Sequence, residues 1–354
     1  MKKRLLALTL AGVFALSALS GCGSKPAASS GTDASSGAAT SSESSTAKDP
    51  IVFKLSHTFL SDQPTHIALA DVAEKIKTRT NGEIVIEVYE NCQLPYGIDG
   101  VEQCRRGANF INVYDASCMA DLVPDYNALL GPMLYDSQDE FCKMAQSDFA
   151  KSLNAKAEEN GVKMLALDYC FGMRQLGTSK KPIKTLADLK NVKIRIPKSQ
   201  LWADTFMALG ANPVAMGWGE IYNAIQQGVV EGCESSIGDL YGSQFAEVLK
   251  YVTYTNHFVG SGAVMMSNDV FKSLTPEQQQ IMQEEFTAGA IYNNKLSDEV
   301  EAEAKKAMED AGVEFIEIDT TEFKEASKKF YDTFPGLTPG VYDTMMAELE
   351  KIRA

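Results

Sequence analysis

LKNVKIRIPKSQLWADTFMALGANPVAMGWGEIYNAIQQGVVEGCESS, residues 189–236, reads as strand, helix, strand, helix and strand in one unbroken run. In VKIRIP (192–197) the apolar Val192, Ile194 and Ile196 share one face and Arg195 lies on the other, as strand alternation requires. Pro197 has no N–H to give a central ladder, so the strand ends there. Ser199 is placed to N-cap a helix running to Leu209, which Gly210 terminates. A second helix is expected over 220–227, with Ile221, Ala224 and Ile225 facing inward. Arg195 therefore stands at the carboxyl end of a strand, where open α/β sheets bind ligands. A guanidinium in that place can grip a carboxylate through two parallel hydrogen bonds, a geometry lysine cannot match. The helix that follows adds free N–H groups and the positive end of its dipole.

Upstream, 51–56 (IVFKLS) and 84–89 (IVIEVY) alternate as strands around a helical pattern at 64–80. The chain so opens β-α-β, the mark of a parallel sheet with helical crossovers. Next come a short helix at 101–106, a strand at 110–114 ending at Asp115, one helix over 138–160 and a strand at 162–169. Arg174 follows that strand within a few residues. Downstream, extended segments at 253–258 and 262–267 precede a helix that Pro276 opens at its first position. One interruption is expected near Leu296 and Ser297, and Gly312 ends the helix. A strand at 313–318 and a helix at 341–352 complete the pattern.

The chain has 354 residues, 45% of them hydrophobic, enough for two ordinary domains. Its net charge of −14 argues against nucleic acid as a partner, because neutralising phosphates needs a basic face. A local cationic pocket can still sit inside an acidic protein. Lys2, Lys3 and Arg4 precede an apolar run at 5–19, the layout of an export signal. LSGC at 19–22 resembles the lipobox of bacterial lipoproteins, which implies a signal peptide over 1–21, cleavage before Cys22 and a diacylglyceryl anchor on its thiol. Residues 22–49 are rich in Ser, Ala, Thr and Gly, a flexible tether that leaves the body on the outer face of the membrane. The other six cysteines show no CxxC and read as free thiols, with Cys92 and Cys104 the pair to check. His57, His66 and His257 lack metal-ligand spacing, and no GxSxG, HExxH, GxGxxG or P-loop text occurs. Gln200 and Trp202 fall in the first turn after Arg195, where they line a cleft or, for Trp202, join the core.

The text KIRIP, ALGANPVAMGWGEIYNAIQQGVVEGCES and FAEVLKYVTYTNH resembles the solute-binding subunits of tripartite ATP-independent periplasmic (TRAP) transporters, the DctP-like family. HTFLSDQPTHIAL and TNGEIVIEVYENCQL extend the resemblance over the mature chain. It implies a two-lobed α/β receptor with a hinge and a ligand cleft, the first lobe from 50–172 and 258–299 and the second from 173–257 and 300–354. It also implies that the protein binds a small organic acid and delivers it to the membrane subunits of a TRAP permease. Arg195 corresponds to the family's carboxylate clamp, Arg174 to a second arginine, and Trp218 to an aromatic that stacks on the solute. Asp115 and His57 fall where the family places polar pocket residues. Ser235 departs from the pattern, standing where an asparagine commonly bonds the ligand. Glu234 helps hold a cation in some relatives, although a glutamate fixing the loop suits the position as well. A sensor subunit for a membrane signalling protein remains open on the same text. An enzyme acting on a carboxylated substrate would need a nucleophile or an acid–base pair that the sequence does not assemble.

Overall fold

The apolar alternation at each end of the opening unit folds as β1 (Ile51–Ser56) and β2 (Ile84–Tyr89), paired in parallel around the helix Pro64–Arg79. These coordinates form a computed structural model describing residues 49–354. The signal peptide, Cys22 and all but the last residue of the tether lie outside the described residues. β3 (Phe110–Tyr114) pairs with β1 in parallel. β4 (Val162–Met173) runs four residues beyond the alternating 162–169 pattern. A later antiparallel partner supports that extension.

Arg174 alone separates β4 from β5 (Gln175–Thr178), where the chain crosses into a second sheet. The run at 189–236 then supplies β6 (Lys193–Ile196), β7 (Asn212–Ala215) and β8 (Gly232–Ser235), with the helices Gln200–Ala208 and Ile221–Gln226 between them. β6 lies parallel to both β7 and β8, as a strand-helix-strand unit demands. Gly232 has no substitute here, since a Cβ would stand 2.1 Å from the Gly177 carbonyl oxygen on β5. β9 (Tyr251–Tyr254) stays in the second sheet, and β10 (Val259–Ser267) returns to the first between β3 and β4. β11 (Glu314–Glu317) completes the second sheet. The two orders are β2-β1-β3-β10-β4 and β11-β9-β5-β8-β6-β7, one sheet to each lobe of an α/β fold.

Three details differ from expectation. The helical pattern at 138–160 is two helices, Gln138–Ala145 and Asp148–Glu159. Ser147 breaks it by accepting the Ala150 N–H on its hydroxyl, a cap that competes with continued helix. Pro276–Asp310 is one helix of 35 residues with no interruption near Leu296 and Ser297, and neither residue lacks an N–H or adds backbone freedom there. Its start carries a reciprocal capping box between Thr275 and Gln278. The closing helix Val341–Arg353 packs on Tyr126–Leu129, Gln138–Ala145 and Asp148–Glu159, segments of the first lobe, although 300–354 was assigned to the second. Its apolar face of Val341, Met345 and Leu349 is buried there, and Arg353 Nη2 donates to the Leu134 carbonyl at 2.8 Å.

Three buried clusters hold these layers. Phe53, Leu69, Val264 and Phe286 pack the first sheet against Pro64–Arg79 and the start of the long helix. Ile221, Leu240, Ala304 and Met308 pack the second sheet against that helix's far end. The third cluster is continuous across both sheets, from Leu153 and Met265 to Trp202 and Phe323. Cys92 and Cys104 are unpaired thiols, and the Sγ atoms of Cys142 and Cys170 lie 3.4 Å apart. Among the described residues no helix is long and apolar enough to cross a membrane.

Candidate functional site

The carboxyl ends of β3 and β6 and the turn after β4 converge on a small cavity, open in part to solvent. Arg195 enters it from β6, with 1% of its surface exposed. Its Nε and Nη2 donate to the Met216 carbonyl at 3.1 and 2.8 Å, and its guanidinium lies 5.4 Å from the Trp218 ring centre. Parallel pairing of β6 with β7 places that carbonyl one residue past the strand end. Among the described residues no hydrogen bond occupies Nη1 and no carboxylate is within ion-pair distance of Arg195. A guanidinium withdrawn from water without an anion beside it is an unbalanced arrangement, because buried charges are ordinarily paired.

Arg174 lines the same cavity but already has a partner. Its Nε donates to Glu234 Oε2 at 2.6 Å and its Nη2 to Oε1 at 2.8 Å, with a third bond to the Glu234 carbonyl at 3.0 Å. His257 Nε2 lies 3.1 Å from the same Oε2, and Thr255 Oγ1 lies 2.7 Å from His257 Nδ1. Burial favours the neutral acid at Glu234, but the charge of Arg174 and the His257 hydrogen bond outweigh it and hold the group down to about 2. Burial opposes the Arg174 charge, and Glu234 more than offsets it, keeping the guanidinium above its usual range. Burial lowers His257 below the ordinary imidazole value, so a neutral ring donates from Nε2 and accepts from Thr255 on Nδ1. Glu234 thus has both carboxylate oxygens hydrogen-bonded within the protein.

Asp115 follows β3 and lines the cavity. Its Oδ1 accepts the Ser117 N–H at 2.8 Å. Burial pushes its carboxyl up to about 6, against the opposing pull of the Ser117 N–H. Ser235 stands one step behind the wall: its hydroxyl donates to Asp239 Oδ2 at 2.6 Å, and Asp239 is what lines the cavity. Gln63 of the first lobe donates to Asp239 Oδ1 at 3.1 Å. Burial raises Asp239 above the usual carboxylate range, although Ser235 and Arg174 oppose it.

His57 does not reach the cavity. Its Nδ1 accepts the Phe59 N–H at 3.1 Å and its Nε2 faces His66 at 3.1 Å, which sets the loop carrying the lining residues Thr58 and Phe59. Burial, helped by His66, holds its ring down to about 3 and so neutral. Trp218 forms part of the wall, backed by Phe245 with ring centres 5.4 Å apart. Trp202 satisfies both expectations, lining the cavity while packed on Phe258 at 4.3 Å. Gln200 is exposed and bonds Asp204 instead.

Sequence reasoning missed Phe59, Tyr114, Phe171, Asp239 and Ser261 in the lining. Only Tyr114 carried a usable signal, as the last residue of a strand that ends at the cleft. A second contact between the lobes was also missed: the Trp218 N–H donates to the Tyr96 hydroxyl at 3.2 Å. Among the described residues no three of His, Cys, Asp or Glu are grouped to hold a metal ion.

Comparison with known proteins gives this geometry a context. Residues 55–335 match the model of the DctP family, described as bacterial extracellular solute-binding protein, family 7. A TRAP periplasmic solute-binding protein from a Fusobacterium, solved with sn-glycerol 3-phosphate, is 42% identical, with a TM-score of 0.83 over 85% of this chain and 98% of that one. Another, from Ochrobacterium anthropi and solved with L-fuconate, is 32% identical, with a TM-score of 0.80 over 84% and 99% of the two chains. The C4-dicarboxylate-binding periplasmic protein DctP of Rhodobacter capsulatus is 28% identical over 299 residues, 84% of this chain and 87% of that one.

Proposed function

Because this chain belongs to the family 7 bacterial extracellular solute-binding proteins, we propose that Arg195 clamps the acidic head of a small organic solute, which the protein then hands to the membrane subunits of a TRAP permease. One observation carries the reading: the Arg195 guanidinium is buried in the cavity and forms no ion pair with any described carboxylate. An anionic ligand would complete that pair through charge-assisted hydrogen bonds, the strong class. Trp218 covers the clamp with its ring, Arg174 lines the same wall with its charge paired to Glu234, and Asp115 meets the remainder of the solute. Ser235 and His57 act at one remove, the first through Asp239 and the second through the loop of Thr58 and Phe59.

Gln63 to Asp239 and Trp218 to Tyr96 join the lobes directly beside the cavity, so a solute bound between them favours the shut arrangement. A small carboxylate is the first reading of the solute. A phosphate ester is the second, favoured because the relative at 42% identity was solved with sn-glycerol 3-phosphate. The family is one of transport receptors, and no catalytic step is assigned to the site.

Thermal unfolding of the purified protein with a panel of small carboxylates and phosphate esters tests the reading. A true solute at a hundred times its Kd adds about 2.7 kcal/mol of stability and raises Tm by several degrees. A panel without any rise in Tm would end the anion-receptor reading.

The export signal and LSGC at 19–22 support a lipid anchor on Cys22 that holds the receptor at the outer face of the membrane. Two acyl chains give the stable attachment that one alone does not. Cys22→Ser is expected to move the protein from the membrane pellet to the soluble extracytoplasmic fraction, read by immunoblot. A variant that stays in the pellet counts against the anchor.

A further inference from the structure

We propose that Cys142 and Cys170 are a modification site: outside the membrane they are oxidised to a disulfide that staples the helix Gln138–Ala145 to β4. Their Sγ atoms lie 3.4 Å apart. A disulfide bond is about 2.05 Å long, so closure asks for about 1.4 Å of movement, within reach of a small side-chain rotation. The helix carrying Cys142 packs directly on the strand carrying Cys170. The long helix Pro276–Asp310 holds both cysteines in place. Asn294 Nδ2 donates to Cys142 Sγ at 3.3 Å, and Asn294 Oδ1 accepts the Cys170 N–H at 2.8 Å. Asn293 Nδ2 donates to the Cys170 carbonyl at 2.7 Å. Two other thiols are turned to different groups: Cys104 donates toward the Phe110 and Met265 carbonyls, and Cys118 faces the Met265 sulfur.

The two thiols are unequally placed, and that sets the order of the chemistry. Cys142 is half-buried and receives an amide N–H, which favours its thiolate. Cys170 is fully buried, and burial pushes its thiol well above the ordinary range. A small disulfide-bearing oxidant therefore meets Cys142 first. The Cys142 thiolate attacks one sulfur of the oxidant, forming a mixed disulfide and releasing the other sulfur as a thiol. Cys170 then attacks Cys142 Sγ, and its proton goes to the second oxidant sulfur as that sulfur leaves. The protein gives up two protons and two electrons, and the oxidant's sulfur–sulfur bond takes up both as two thiols. Members of this family are extracellular, where disulfides persist. The two cysteines are 28 positions apart and enclose the helix Asp148–Glu159, so the link removes freedom from the unfolded chain. Phe171 and Arg174, which follow Cys170 closely, line the solute cavity, so the staple also steadies the strand end that carries them.

Oxidation of the folded full chain tests the assignment. One sample is treated with oxidised glutathione and another with dithiothreitol; both are alkylated, digested without reduction and mapped by mass spectrometry. The oxidised sample should yield the Cys142 peptide joined to the Cys170 peptide, two hydrogens lighter than the free pair. Its Tm should exceed that of the reduced sample by at least about 3 °C. Cys142→Ser should give neither the joined peptide nor the rise in Tm. A map in which Cys142 carries glutathione and Cys170 stays a free thiol overturns the inference, and so does a link from either residue to a different cysteine. A joined pair without a rise in Tm overturns the stapling role. If Cys142→Ser fails to fold, the peptide map and the two melting temperatures of the unaltered protein decide the matter alone.

Discussion

Arg195→Ala is expected to abolish capture of the solute in isothermal titration while leaving a folded protein. Truncating one member of a desolvated, hydrogen-bonded charge pair costs about 2–5 kcal/mol, which corresponds to roughly thirty-fold to several-thousand-fold in Kd. Without solute the same change removes no ion pair, since Nε and Nη2 bond only the Met216 carbonyl. The unliganded variant should therefore unfold as a single cooperative species, and the loss should appear in binding. Arg195→Lys should recover little. An ammonium is a point charge and cannot hold the Met216 carbonyl and a flat anion together as a planar fork does. Affinity unchanged in the alanine variant would remove Arg195 from its assigned role.

Glu234 calls for the opposite signature, a loss of stability. Its carboxylate is buried against Arg174 and His257, so Glu234→Ala strands a guanidinium with no charge partner. Breaking a buried pair from one side typically costs about 3–5 kcal/mol, whereas replacing both members by apolar groups of similar volume is often neutral. The urea midpoint of Glu234→Ala should fall sharply, and Arg174→Met combined with Glu234→Leu should restore much of it. Equal midpoints for native protein and Glu234→Ala would show that the pair is not structural. The pH dependence has a definite sign. An acid depressed from 4.5 to about 2 contributes stability that is complete above 4.5 and is lost as pH falls toward 2. Native protein should thus lose more stability between pH 5 and pH 2.5 than Glu234→Gln does.

The contrast between these two arginines shows what a linear sequence carries. Arg195 was legible because its place follows from local rules: alternation in KIRI, a proline that stops the strand, and a helix after it. Arg174 was legible as a position but not as a pair. Its partner lies 60 residues away, and their meeting depends on β5 lying antiparallel to β8. Asp239 sits in a helix of six residues, too short for a periodic signal. Ser235 was read as a ligand contact because its neighbours match a familiar pattern, yet its hydroxyl is turned to Asp239 by a bond that only the folded loop makes. The strand-helix unit at 189–236 appeared as read, because alternation and helical spacing are local. The split at Ser147 and the unbroken run through Leu296 were not legible, since apolar spacing alone does not register a cap or its absence.

The helix Pro276–Asp310 gives the molecule a mechanical property. At 1.5 Å per residue its 35 residues span about 52 Å. The first turns are wedged against Pro64–Arg79 and β4, where a Cβ on Gly289 would strike Val72 and Tyr169. The last turns bury Ala304 and Met308 among second-lobe residues. The helix is therefore a cantilever clamped in one lobe and loaded by the other, and spreading the cleft must flex it or slide its tip over Leu240. Such a beam resists displacement and returns when released. The rest position of the receptor is then set by the stiffness of one rod as well as by the solute it holds.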